Sequence, residues 1–161
     1  EIQTPLGIKK TTEIEDKLVL CSILRAGLPL HLGFLNYFDS AENGFVSAYR
    51  HHVGNEVAFD IKVEYQAVPN IAGKNLLLID PMLATGQSMV AVFNKLLEKG
   101  QPKEIHIAVV IAAPEGVAYL EKHLPDYCHL WVATLDEKLN DRNYIVPGLG
   151  DAGDLAYGNK L

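Results

Sequence analysis

Leu76 to Ser88 reads LLLIDPMLATGQS, and beyond it Met89, Val90, Val92, Phe93, Leu96 and Leu97 recur at helical spacing. The quartet Leu76 to Ile79 is apolar on both faces, as expected of a strand in a parallel sheet covered by helices on both sides. Gly100 stands where a helix C-cap belongs, so the small residues between quartet and helix form a tight strand-to-helix turn. Such a turn aims backbone N–H groups outward at the positive end of a helix. Thr85 and Ser88 add hydroxyls around Gly86, which has no side chain to block close approach. The ligand that suits this cradle is an anion, best a phosphate, although an isolated turn of this kind also occurs with no ligand at all. Asp80 falls at the carboxyl end of the strand, where open α/β sheets place their ligands. A carboxylate beside a phosphate repels it, so Asp80 is better suited to ribose hydroxyls or to a hydrated Mg²⁺.

Working outward, Lys17 to Leu24 (KLVLCSIL) is a second buried strand that ends in Arg25-Ala26-Gly27. Leu28 to Phe38 follows as a helix, with Pro29 in its first turn and Leu30, Phe34 and Phe38 on one face. Gly44 to Tyr49 is a further strand ending at Arg50. His51 to Asp60 then suits a mobile hairpin or flap, and Ile61 to Val68 alternates as its returning strand. Arg25 and Arg50 are thus expected as cations at strand ends on the rim that carries Asp80, a placement suited to a diphosphate. On the other side of the central turn, Glu104 to Ala112 is a strand. Pro114 and Glu115 open a helix that Pro125 bars from continuing, and Cys128 to Leu135 is the next strand. Strands alternating with helices indicate βαβ units and a mostly parallel sheet. Glu1 to Lys17, broken by Pro5 and Gly7, reads as an extended segment or hairpin. The last stretch, Tyr144 to Gly158 (YIVPGLGDAGDLAYG), reads as an ordered, ligand-facing loop with neither regular helix nor strand, its glycines letting backbone approach a flat ligand.

Composition narrows the class. A chain of 161 residues with 48% hydrophobic and 21% charged residues fits one ordinary globular domain. The net charge of −6 argues against a nucleic-acid surface, so an anionic ligand must be held by local features. No apolar run reaches the roughly 20 residues that span a bilayer, and no signal-peptide pattern opens the chain, which makes the cytoplasm the default compartment. Cys21 and Cys128, in separate apolar runs without CxxC pairing, are expected as buried free thiols. The six histidines lack metal-site spacing and are expected to be structural or superficial.

The run apolar quartet, acid, then Ala-Thr-Gly-x-Ser resembles the phosphoribosyl pyrophosphate (PRPP) loop of the type I phosphoribosyltransferases. Most of that family carries two adjacent acids, whereas Asp80 is followed here by Pro81. DPMLATG, ILRAGLP, AYR, AAPEG and the terminal YIVPGLGDAGD are together similar to the uracil phosphoribosyltransferase branch, in the same order and over the chain from Lys17 onward. Gln87 stands where that branch usually has glycine; if the loop needs a positive φ there, the side chain adds strain. The long helical arm that normally precedes this region is missing, so the resemblance implies a fragment or a shortened variant.

The resemblance implies a type I phosphoribosyltransferase fold, a single domain over residues 1–161 with a flap and a hood at 136–161. It implies conversion of uracil and PRPP to UMP and pyrophosphate, a pyrimidine salvage step. Carried over residue by residue, it assigns Arg25 and Arg50 to the diphosphate, and Asp80, Pro81, Met82, Leu83, Ala84, Thr85, Gly86, Gln87 and Ser88 to the ribose 5-phosphate. Ile145 and Gly150, Asp151 and Ala152 go to the base, with Asp151 also reaching PRPP. Asp80, Asp151 and Arg50 are the expected catalytic residues. Mg²⁺ is expected as cofactor, held mainly through PRPP with water-mediated help from Asp80 or Asp151 and no direct protein ligand. The family further implies a homodimer or higher homo-oligomer, with GTP a candidate effector. The alternatives are a phosphoribosyltransferase for another base and a non-catalytic PRPP or nucleotide sensor of the same fold.

Overall fold

A computed structural model describes residues 1–12, 16–52 and 59–159, the side chains of 49–52 and 59–62 excepted. The opening is the expected hairpin, β1 (Ile2–Thr4) against β2 (Gly7–Lys9). Then follow β3 (Leu18–Leu24), α1 (Gly27–Leu35), β4 (Glu42–His52), β5 (Phe59–Ala67) and β6 (Asn75–Ile79). The second half contains β7 (Met82–Leu83), α2 (Gln87–Leu97), β8 (Glu104–Ala112), α3 (Pro114–His123) and β9 (Cys128–Leu135). The chain closes with β10 (Lys138–Leu139), β11 (Ile145–Val146) and α4 (Ala152–Tyr157).

The main sheet runs β5-β4-β3-β6-β8, with β7 and β9 also paired to β8; every pairing is parallel except β4 with β5. Its centre has the two-faced burial expected of the apolar quartet. Leu76 and Leu78 join the core formed with α2 and α3 through Met89, Val92, Phe93, Leu96 and Leu120. Leu77 and Ile79 turn the other way and pack with Leu30, Phe34 and Phe38 near α1. Truncating a fully buried leucine such as Leu78 to alanine would cost about 2–5 kcal/mol. The sheet therefore holds the strand ends firmly, and the turns that leave them inherit that position.

Several boundaries differ from expectation. α1 begins at Gly27 and ends at Leu35, because a Cβ at position 27 would lie 2.8 Å from the Ile79 carbonyl and only glycine lets the helix start against β6. α2 ends at Leu97 with Glu98 as C-cap; Gly100 follows at φ 134° and donates its N–H to the Leu97 carbonyl. β4 does not stop at Arg50. It continues to His52 and pairs with β5 out to Phe59, past Ser47 where a register shift follows and where pairing with β3 has ended. Residues 53–58, the tip of the expected flap, lie outside the described residues.

The terminal stretch is more regular than expected. β10 and β11 pair as a small antiparallel ribbon, and Ala152–Tyr157 forms a helix. The reason is a local cap: the Asp151 carboxylate accepts from the Asp154 N–H at 2.9 Å, so a four-residue run between Gly153 and Gly158 closes into helix despite its flanking glycines. Of the two free cysteines, Cys21 is buried but Cys128 only half-buried, and burial pushes their thiols up to about 12 and about 11 respectively. His31 is structural. It sits buried between Ser22 Oγ and Asn43 Oδ1, each 2.7 Å away. On the exposed side of β8 and β9, Trp131 donates its indole N–H to His106 Nδ1 at 3.2 Å beside Phe34 and Phe38. No helix among the described residues is long and apolar enough to cross a membrane.

Candidate active site

At the carboxyl ends of β3 and β6 and beside the middle of β4, the turns and the terminal segment surround a cavity of about 740 Å³. Arg25 and Ala26 come from the turn after β3, Ser47 and Ala48 from β4, and Asp80, Met82 and Ser88 from the central turn. The far wall is Arg142 to Tyr144 and Gly150 to Gly153. Arg25, Asp80 and Asp151, distant in sequence, therefore meet around one space, as the strand-end argument requires for the first two.

Asp80 owes its position to an interruption in a strand. The Asp80 N–H still reaches the Ala108 carbonyl of β8, but Pro81 has no N–H to offer. Pairing resumes only for Met82 and Leu83, opposite Ile111 and Ala112. The carboxylate folds back to accept the Met82 N–H at 3.1 Å. Burial pushes its pKa up to about 7, the Met82 hydrogen bond opposes that, and the neighbouring Asp151 carboxylate raises it further. A carboxyl group poised there exchanges its proton near neutrality and changes charge when a cation or an anion arrives.

Beyond β7 the chain turns at Gly86, whose φ of 79° caps the start of α2, and no side chain caps the first-turn N–H groups. The cradle is set by close packing with α3. A Cβ on Gly116 would fall against the Ala84 and Leu83 carbonyls, and one on Gly86 would meet the Gly116 carbonyl at 3.0 Å. Gln87 is the first helical residue and is absent from the positive-φ positions, so the strain contemplated for a side chain there does not arise; Gly86 carries the left-handed turn instead. Gln87 Oε1 is buried without a partner. Of the nine cradle residues only Asp80, Met82 and Ser88 line the cavity. Pro81 gives its carbonyl to the Val110 and Ile111 N–H groups, Leu83 is in the core, and Ala84, Thr85, Gly86 and Gln87 carry the turn from β7 into α2.

Arg25 lies at the cavity edge with its guanidinium turned to α4: Nη2 donates to Asp154 Oδ1 at 2.9 Å and to the Gly158 carbonyl at 3.2 Å. The Arg50 side chain lies outside the described residues, while its backbone pairs with Ile61 inside the β4–β5 arm, not at a strand end. In the hood, Gly150 is exposed at φ 82° with nothing crowding it, and Asp151 and Ala152 line the cavity beside it. Ile145 does not. Its side chain, 3% exposed, is packed with Ile111 and Ala113, which leaves only its main chain to offer a ligand. Arg142 and Asn143 were not expected at the site; Tyr144 and Asp154 fall in the stretch expected to face the ligand, Tyr144 lining the cavity and Asp154 reaching it only through Arg25. Arg142, Asn143 and Tyr144 form the bend between β10 and β11, tied by Asn140 Oδ1 to the N–H groups of Arg142 and Tyr144, and no periodic signal marks so short a ribbon.

Comparison with known proteins bears on the family and the fold. A family model described as uracil phosphoribosyltransferase matches residues 1–159. The chain belongs to the uracil phosphoribosyltransferase family. A relative of that name from Porphyromonas gingivalis is 54% identical over 160 residues, covering 99% of this chain and 74% of the relative. Another, from Shouchella clausii, is 44% identical over 162 residues, covering 99% of this chain and 75% of its own. Among solved structures, the AQ2163 protein from Aquifex aeolicus superposes with a TM-score of 0.86 at 34% identity, covering 99% of this chain and 74% of that one. A hypoxanthine phosphoribosyltransferase from Staphylococcus aureus shares the fold alone, with a TM-score of 0.56 at 16% identity over 90% of this chain and 80% of that one. Membership of the uracil phosphoribosyltransferase family thus spans hairpin, sheet, cradle and hood together.

Proposed function

We propose that this protein is a uracil phosphoribosyltransferase, working as a single domain with residues 136–161 as its hood. Uracil and PRPP give UMP and pyrophosphate: the C1′–O bond to the diphosphate breaks, an N1–C1′ bond forms, and the N1 proton is released. Relatives named for this activity, at up to 54% identity, support the reaction. The observation that carries the site is the convergence of Arg25, Asp80, Asp151 and the turn before α2 on one cavity. Positive charge grows on the ribose while negative charge grows on the leaving diphosphate, so positioning and charge neutralisation matter more than a strong nucleophile.

In this reading Arg25 and Arg50 face the diphosphate, the turn from Asp80 to Ser88 takes the ribose 5-phosphate, and Gly150 to Ala152 with the Ile145 main chain read the base. Fixed main-chain groups suit uracil, with two carbonyl acceptors and an N3–H donor. Cytosine would leave two of them unpaired at about 1–3 kcal/mol each. The residues present fit Mg²⁺ only as a substrate-borne ion: among the described residues no three His, Cys, Asp or Glu side chains converge, while Asp80 and Asp151 face one cavity. When bound, the ion would neutralise diphosphate charge, with Asp80 and Asp151 holding its water shell. A cytoplasmic homodimer or higher assembly, with GTP as a candidate effector, completes the proposal; sedimentation with and without GTP tests the assembly.

A base panel with PRPP and Mg²⁺ tests the whole. Turnover is expected with uracil and almost none with cytosine or purines; equal turnover of cytosine, or none with uracil, would sink the reading. Arg25→Ala and Arg50→Ala should each weaken PRPP binding by about 1.5–3 kcal/mol, the worth of a charge-assisted hydrogen bond, in calorimetry without base.

A further inference from the structure

Arg25 is held by the far end of the chain. Its Nη2 partners, the Asp154 carboxylate and the Gly158 carbonyl, belong to α4 and its C-cap, and the ring of Tyr157 on the same helix lies 5.9 Å from the guanidinium carbon. Arg25 Nε is buried without a partner, so the guanidinium is fixed on one side and retains a donor to satisfy. Asp154 is tied in a second direction, since its N–H is the one that the Asp151 carboxylate accepts. One residue therefore touches both Arg25, from the turn after β3, and Asp151, from the hood.

The pair contributes little to the fold. With side chains 39% and 31% exposed, such an ion pair stabilises weakly. Orientation is another matter. An arginine left free samples many rotamers, and ordering it on binding lowers affinity, whereas a planar fork already fixed on one side presents its remaining donors to an anion. Asp154 is not among the residues that line the cavity, so its carboxylate approaches Arg25 from the α4 side while Arg25 itself lines the cavity.

We propose that Asp154 is a positioning residue, one that acts through Arg25: its carboxylate sets the guanidinium for the diphosphate and ties that setting to the Asp151 loop of the hood. This rests on the PRPP reading of the cavity. The experiment is calorimetric titration of PRPP with Mg²⁺, without base, into wild type, Asp154→Ala, Asp154→Asn, Arg25→Ala and the double variant Arg25→Ala/Asp154→Ala. Failure of wild type to bind PRPP would overturn the site reading itself. If wild type binds, Asp154→Ala should raise Kd about 10-fold, in the range of a lost charge-assisted hydrogen bond. Asp154→Asn, which keeps an acceptor oxygen for Nη2, should recover most of the loss. In the Arg25→Ala background the Asp154→Ala change should add less than about twofold, because a residue acting through Arg25 has nothing left to act on. Unchanged affinity in Asp154→Ala, tighter binding, or an equal loss with and without Arg25 would each overturn the proposal. The first would make the pair idle, the second a competitor of the ligand, and the third a general prop of the hood.

Discussion

The cradle and the hood face each other across one cavity and lean on carboxylates to different degrees. Main-chain bonds hold the cradle: the Val110 and Ile111 N–H groups converge on the Pro81 carbonyl at 3.0 Å, and the Ala113 N–H reaches Leu83 at 2.9 Å. In the hood, carboxylates add to the main-chain pairing of β10 with β11. Glu115 Oε1 accepts the Leu139 N–H at 3.0 Å, Asp136 Oδ2 accepts the Gly148 N–H at 2.9 Å, and Asp151 caps α4. A segment fixed by its main chain tolerates most side-chain changes but not a steric intrusion, while one fixed by carboxylates fails when an oxygen is removed. Adding a methyl should break the first, and deleting a carboxylate the second.

The largest effect is therefore expected at Gly116, where a new Cβ meets backbone carbonyls that cannot swing aside. Gly116→Ala should cost about 3 kcal/mol, the upper end for overpacking. For a chain of this size that lowers the melting temperature by roughly 6–12 °C. Calorimetric melting within a degree or two of wild type would mean that the cradle is softer than its main-chain bonds imply. Asp136→Ala should cost less, about 1–2 kcal/mol for the unpaired Gly148 N–H. It should also act locally: amide exchange at Gly148 and its neighbours speeds up while β6 and β8 keep their protection. Loss of protection throughout the sheet would erase the distinction between the two regions.

The third test uses pH. Asp80 titrates near 7 in the folded protein, whereas an unfolded aspartate ionises near pH 4, so between these values the native state holds more protons. Stability from this group is full below about pH 4, falls as pH rises through the window and levels off above about 7. With solvent in the open cavity screening the charge, the change should amount to about 1–2 kcal/mol. Asp80→Asn should flatten that slope in denaturant unfolding at pH 5 and pH 8, and the difference between the two proteins cancels the carboxylates, such as Asp16, that shift the other way. An unaltered slope would remove Asp80 from its poised state. The smallest effect is expected at Gln87. As an ordinary helical residue it carries no backbone strain to relieve, so Gln87→Gly should destabilise by about 0.5–1 kcal/mol, with PRPP affinity changed less than threefold. A stabilised variant would show that the turn wants a glycine there after all.

What could be read in advance follows the same division. The quartet Leu76 to Ile79, the amphipathic α2 and the strand ends carrying Arg25 and Asp80 are written in local periodicity and turn chemistry, and the sheet obeys them. β7 left no trace because two residues have no period; it exists because β8 offers N–H groups beyond the break at Pro81. α4 was hidden because six residues are too few to form a helix unaided. It is supported by the Asp151 cap and by Arg25, whose partner Asp154 lies 129 residues away. The continuation of β4 past Arg50 was missed for a related reason: His51 and His52 look like loop residues until β5 pairs with them. Local chemistry announces what main chain builds, and long-range pairs must be seen in three dimensions.

The lone tryptophan makes these regions separable by light. Trp131, 61% exposed on β9, is no part of the cavity wall, and its indole N–H needs a bare His106 Nδ1, which burial and the neighbouring His129 preserve by holding that imidazole below its usual pKa. Its emission therefore monitors the sheet edge and is blind to the hood. A fluorescence melt should shift less for the loss of the Asp136 pin than for Gly116→Ala. Quenching on acidification would time the protonation of His106 and nothing nearer the cavity.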